Sequence, residues 1–222
     1  MSDIGSPRRT HLAVTGLSPR LSKSERTRAA ILDAAREFLR LRPFRELTVA
    51  ELMKSAGASR ATFYQYFNDL HGLMATLLDE VKEGIVTGAQ PWFSEVGDPA
   101  QGLRHSLAAL VAVGAEKGFI LRAVSDAATQ DARLEDVWEG FIGAFDELVA
   151  ERIARDQALG LIAPFEPSAV ARALNRMDAA TLIQAFGRPP MADRGAVLAA
   201  LERIWLSTLY PDTPLSGNVQ GR

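Results

Sequence analysis

The sequence predicts an all-α protein of about nine helices, divided into a three-helix head and a larger helical body. Apolar residues recur at spacings of three and four along most of the 222 residues, and no stretch shows the alternation of a half-buried strand. Gly and Pro punctuate those runs, as at Pro91, Gly160 and Pro189-Pro190. One stretch, TVAELMKSAGASRATFYQYF from Thr48 to Phe67, reads as two short helices joined by a tight turn.

Composition narrows the class further. Hydrophobic residues make up 47% and charged residues 23%, as in an ordinary globular chain. With no cysteine, disulfides and thiolate chemistry are excluded and nothing signals export. No apolar run approaches the roughly 20 residues of a membrane span, and the start lacks the apolar core of a signal peptide. A cytoplasmic location without membrane attachment is expected. The net charge of −2 is unevenly divided: residues 1–70 carry 12 Lys+Arg against 7 Asp+Glu, and residues 71–222 carry 13 against 20. A basic front on an acidic body suits a protein that offers one face to phosphates.

In chain order, residues 1–21 form a polar, Gly- and Pro-containing tail expected to be disordered, with Arg8 and Arg9 as a basic arm or a solvated pair. A three-helix head is expected over 22–68, a larger helical body over 69–210, and a loose tail over 211–222. Ser22 or Ser24 caps a first helix to about Leu41, with Ala30, Ile31, Ala34, Ala35 and Phe38 as its stripe, and Arg42-Pro43 stops it. Thr48 followed three residues later by Glu51 forms a capping box for a helix starting at Val49. Gly57 supplies the left-handed residue that ends it, and Ser59 caps the next. In that second helix Phe63 and Phe67 share a buried face, while Arg60, Thr62, Tyr64, Gln65 and Tyr66 share a polar one. A short helix with a dry back and a hydrogen-bonding front is what a major groove admits.

The run AGASRATFYQYFNDLHGLMATLLDEV, on these residues, resembles the helix-turn-helix and following helix of the TetR family of one-component repressors. The resemblance implies a DNA face of Thr48, Ser59, Arg60, Ala61, Thr62, Tyr64, Gln65 and Tyr66. Arg60, Thr62 and Gln65 are expected at base edges; Thr48, Tyr64 and Tyr66 are expected on phosphates. One position departs: Leu70 stands where the family usually has a phosphate-binding Lys, with His71 beside it as a partial replacement.

For the body, Asp69 caps a helix to about Val86, after which Gly88 and Pro91 are expected to break the chain. Further helices are predicted at Pro99–Glu116, Phe119–Ala127, Ala132–Leu159, Pro167–Phe186 and Asp193–Leu209. Enzymatic constellations were sought without success. His11, His71 and His105 lie in three separate segments, and there is no phosphate-cradling glycine loop or nucleophile elbow. Adjacent acids such as Asp79-Glu80 and Asp146-Glu147 point about 100° apart on a helix and read as solvated faces. Neither an enzyme, a metal site nor a cofactor is expected.

On the helix at 167–186, Asn175, Asp178 and Leu182 flank a stripe of Val170, Leu174, Met177 and Thr181. Periodicity leaves two readings open: polar groups edging an apolar pocket, or side chains turned to solvent and to Arg172 and Arg176. RALNRMDAATLIQAF and LERIWLSTLY resemble the last two helices of TetR-family members with a long aromatic ligand channel. That resemblance implies that Trp138, Phe145, Asn175, Asp178 and Trp205 occupy channel positions, with Asp178 replacing a ligand-bonding amide. Leu103, Leu110, Gly114 and Leu148 stand where that channel has large aromatics, so it should be more aliphatic and acidic at one point. The expected walls are Leu107, Leu110, Gly114, Trp138, Phe141, Phe145 and Leu182, between the helices at 99–116, 132–159 and 167–186. Asn175 supplies the main hydrogen bond, while Asp178 either selects a donor-bearing ligand or takes up a proton.

The expected whole is a homodimeric repressor that pairs through its last two helices and binds double-stranded operator DNA, released by a small, mostly apolar effector. Leu198, Leu201, Trp205 and Thr208 supply part of the dimer stripe. Two other readings stay open here: a helical ligand-binding protein with weak DNA affinity, and a DNA binder without effector.

Overall fold

A computed structural model describes residues 22–94 and 97–211. The expected basic arm at Arg8 and Arg9, the rest of the N-terminal tail, and residues 212–222 lie outside these. The described residues form eight α-helices and no strand: α1 (Lys23–Leu41), α2 (Val49–Ser55), α3 (Arg60–Phe63), α4 (Leu70–Phe93), α5 (Pro99–Ala128), α6 (Ala132–Ala158), α7 (Pro167–Phe186) and α8 (Arg194–Leu209). A single 3-10 turn at Phe44–Glu46 links α1 to α2.

Local chemistry sets the ends of the head helices. Ser22 accepts from the Glu25 amide while the Glu25 carboxylate accepts from the Ser22 amide, a complete capping box. At Thr48 only half of the predicted box exists. Its hydroxyl accepts from the Glu51 amide, but the Glu51 carboxylate turns away to Arg42 at 2.5 Å. Gly57 has φ +67°, the left-handed conformation that lets the chain turn between α2 and α3. Ile31, Leu39, Leu52 and Phe63 close the core of the head, each burial contributing about 1.5–3 kcal/mol. Leu32 and Leu39 belong to this core and lie outside the predicted stripe.

The body departs from expectation in two places, and glycine is responsible for both. α4 runs through Gly88 and Pro91 to Phe93 instead of ending near Val86. A Cβ at Gly88 would stand 2.4 Å from the Ala109 Cβ, so this glycine lets α4 and α5 approach closely. α5 is likewise one 30-residue helix, not two. Gly118, the apparent break, meets the backbone of Phe186, where an added Cβ would lie 2.9 Å from its carbonyl oxygen. Nine expected helices therefore become eight. α5 is the central rod, packing on α4, α6, α7, α8 and the head.

A polar knot ties the far end of the body. The buried Arg152 donates through Nε and Nη2 to Asp156 Oδ2 at 3.1 and 3.0 Å, and through Nη1 to the Trp92 carbonyl. Tyr210 donates its hydroxyl to the same carboxylate and accepts from Trp92 Nε1 at 3.0 Å. Burial foremost, then the bond to Asp156, pushes the Tyr210 hydroxyl well above its ordinary pKa. The knot fixes the end of α8 to α4 and α6, and so fixes Trp205 one turn earlier.

Candidate DNA-reading face and effector cavity

The polar side of α3 is built from its cap outward. Ser59 accepts from the Thr62 amide at 3.2 Å, and the two hydroxyls lie 2.8 Å apart. The regular helix ends at Phe63, but the Phe67 amide still donates to the Phe63 carbonyl at 3.0 Å, so the coil continues tightly. Phe63 and Phe67 consequently stack inward with ring centres 5.6 Å apart. Thr48, Ser59, Arg60, Ala61, Tyr64 and Gln65 are exposed, and Thr62 and Tyr66 half-buried. Arg60 lies over the Tyr64 ring at 6.0 Å. The Tyr66 hydroxyl accepts from Ser24 Oγ at 3.2 Å, which orients it from α1.

The head is joined to the body by crossed caps. Asp69 caps α4 and receives Arg133 from α6 at 2.7 Å; Asp131 caps α6 and meets His71 Nε2 from α4 at 2.7 Å. The Gly72 amide first, then Arg133, holds the Asp69 carboxyl below the usual range; the His71 bond does most to lower Asp131. His71 is therefore engaged with Asp131 of the body, and Leu70 beside it is half-buried.

Inside the body lies an apolar cavity of about 80 Å³. Of the residues proposed from sequence, Leu107, Leu110, Phe141, Phe145, Leu182, Asn175, Asp178 and Trp205 line it. Leu103 also lines it; Leu148 does not. Two expected wall residues are displaced. Gly114 is covered by Leu182, whose Cδ2 would be 2.6 Å from an added Cβ, and Trp138 stacks behind Phe141 at 5.7 Å. The largest part of the wall missed from sequence comes from α4, through Ile85, Ala89, Trp92 and Phe93, with Ser106, Leu121, Ile142, Val149 and Ala179 added from α5, α6 and α7. Ala89, Trp92 and Phe93 lie past the predicted end at Val86, on the part of α4 that continues through Gly88 and Pro91.

The polar members are partly committed. Asn175 Nδ2 donates to Asp146 Oδ1 at 2.9 Å, and Asp146 also holds Arg176 at 2.9 Å, so the amide is not a free ligand hook. Asp146 is accordingly a part-buried partner of Asn175 and Arg176, set behind the lining, rather than a solvated face. Asp178, only 6% exposed, turns inward and not to Arg172 or Arg176; its Oδ1 accepts from Trp205 Nε1 at 3.0 Å. Burial, only partly offset by that bond, pushes its carboxyl up to about 7.

Residues 31–76 match the bacterial regulatory proteins of the tetR family, and residues 103–211 match the C-terminal domain of the transcriptional regulator EthR. The chain belongs to the TetR family. The HTH-type transcriptional regulator EthR of Mycolicibacterium smegmatis is 27% identical over 191 residues, covering 84% of this chain and 88% of that protein. EthR of Mycobacterium tuberculosis is 29% identical over 189 residues, covering 82% and 86%. Among solved structures, a SmeT–triclosan complex superposes with a TM-score of 0.72 at 17% identity, covering 88% of this chain and 98% of that one. The fatty acid degradation regulator FadR of Bacillus halodurans gives 0.71 at 16% identity, covering 88% and 97%. As a TetR-family member with its helix-turn-helix in place, the chain is a DNA-binding transcriptional regulator, not an enzyme. No helix among the described residues is long and apolar enough to cross a membrane.

Proposed function

We propose that this regulator is a homodimeric repressor whose hold on operator DNA is released by a small, mostly apolar effector in the α4–α8 cavity. The observation that carries this reading is the placement of α4. Its C-terminal half lines the cavity through Ile85, Ala89, Trp92 and Phe93, while its first turn joins the end of the reading motif. An occupant that fits one α4 position better than another shifts the spacing of the two heads. An occupant indifferent to α4 position releases nothing.

Arg60, Thr62 and Gln65 read base edges, and Thr48, Tyr64 and Tyr66 hold phosphates, with Ser59 and Ala61 at the helix start. Two such faces meet successive major grooves about 34–36 Å apart, or a multiple of it, on a pseudo-palindrome. The partner packs on the outward faces of α7 and α8. Leu201 and Trp205 of the expected dimer stripe are buried within their own subunit, which leaves Leu198, Thr208 and the 41%-exposed Ile204 to meet the partner. Small outward residues such as Ala180, Ala196 and Ala200 allow close helix approach there.

The test is binding of the full chain to the duplex upstream of its own gene, at several salt concentrations, with and without apolar compounds that raise its melting temperature. Specific, salt-dependent binding weakened by such a compound supports the reading. Binding that no cavity occupant alters leaves a regulator without this effector site.

A further inference from the structure

Among the described residues the cavity wall contains one acid and no base. Asp178 sits between Asn175 and Leu182 on successive turns of α7, and among the described residues no Lys, Arg or His lines the space. Among the described residues its hydrogen-bond donor is Trp205 Nε1. An ionised carboxylate accepts about four hydrogen bonds, so most of its capacity faces the cavity unused. A neutral amide would satisfy the Trp205 N–H equally well without placing a titratable charge among apolar walls. The choice of an acid is explained by an occupant that brings the opposite charge.

The surroundings agree. Trp92 and Trp205 meet edge to face at 5.8 Å, and Phe141 and Phe145 at 5.2 Å, all four lining the same space. Aromatic faces attract ammonium groups and give nothing to carboxylates. A carboxylate or phosphate ligand would meet a like charge, and among the described residues no cation lines the space to compensate it; Arg152, 5.6 Å from the Trp92 ring centre, is committed to Asp156. We propose that the effector is a lipophilic amine, an alkyl chain against the leucine and phenylalanine walls with its ammonium group on the Asp178 carboxylate. This rests on the reading of the cavity as an effector site and assigns that site its ligand class.

Proton linkage gives a second signature. Among the described residues the cavity faces of α4, α5, α6 and α8 bring no titratable side chain; Asp146 is bonded to Asn175 and Arg176, and Arg152 to Asp156, which leaves Asp178 as the titrating group of the lining. Its carboxyl, at about 7, must lose its proton to hold an ammonium ion, whereas the amine, like a lysine at about 10.4, stays charged throughout. Amine affinity therefore rises about tenfold per pH unit up to pH ~7 and levels off above it. Each added methylene tightens binding about fourfold until the space is filled.

Calorimetric titration of the full chain with n-octylamine, n-octanol and n-octanoate at pH 5, 6, 7 and 8 tests this. The expected result is octylamine tightest by at least tenfold at pH 8, with that pH dependence, octanol nearly flat, and octanoate unbound. Asp178→Asn should lose at least tenfold in octylamine affinity and hold octanol within threefold. Octanol or octanoate binding as tightly as octylamine, or a pH-independent octylamine affinity in the parent, overturns the amine assignment while leaving an apolar effector site. Binding of none of the three at millimolar concentration overturns both.

Discussion

Replacing Asp178 by Asn removes a buried charge while retaining an amide oxygen for the Trp205 N–H at 3.0 Å. Burial raises the Asp178 carboxyl from an ordinary 3.8 to about 7. Because the folded form holds its proton more tightly than the unfolded one, its contribution to stability is full below pH ~4 and is lost as pH rises through ~7. At 1.36 kcal/mol per unit, the loss between pH 4.5 and pH 8 is about 3 kcal/mol, a large share of a typical domain's stability. Urea unfolding followed by helical circular dichroism should show Asp178→Asn gaining that amount on the parent between those pH values. Subtracting the parent cancels the carboxylates held low at Glu25, Asp69, Asp131 and Glu166, which titrate alike in both proteins. A difference that is the same at both pH values would refute the buried, charge-bearing role of Asp178.

Arg60→Ala should relax operator specificity and cost roughly 1–3 kcal/mol of binding, measured by anisotropy on the operator and on single-base variants; equal affinity for all would remove Arg60 from the base edges. Tyr66→Phe should weaken every duplex about equally, since a phosphate contact carries no sequence information. Ile204→Asp should turn the dimer into a monomer in sedimentation at micromolar concentration, and a persisting dimer would move the interface off α8. Gly114→Phe must push Leu182 toward the cavity, because even a Cβ there stands 2.6 Å from Leu182 Cδ2. It should lower the melting temperature, with overpacking of about 1–3 kcal/mol. It should also weaken effector binding while operator affinity without effector stays within a few-fold.

The head was legible in sequence because its determinants are local. Caps at Ser22, Thr48, Ser59 and Asp69 act within three residues, and Gly57 needs only its own φ. The body was less so, since its errors came from partners distant in the chain. Gly88 looks like a breaker, and Gly118 falls in the gap between two expected helices, until Ala109 and Phe186 are placed against them and both become contact points of continuous helices. The same distance hid the commitments of the polar groups. Asn175 reads as a free amide until Asp146, 29 residues earlier, takes its nitrogen. His71 reads as a stand-in for the lysine absent at Leu70, and its bond to Asp131, 60 residues away, is invisible in the sequence. Asp178 was visible as an acid beside an apolar stripe, but which way it turned depended on Trp205, which the knot around Tyr210 holds in place.

The measurement that bears most directly on repression governed by the cavity is an anisotropy titration of the upstream duplex by the full chain, at fixed salt, with and without a saturating cavity occupant. Occupancy should be verified on the same sample by protection of the melting transition. The expected result is at least a tenfold loss of operator affinity on occupation, with the protein still dimeric. Full occupancy with unchanged operator affinity would contradict it.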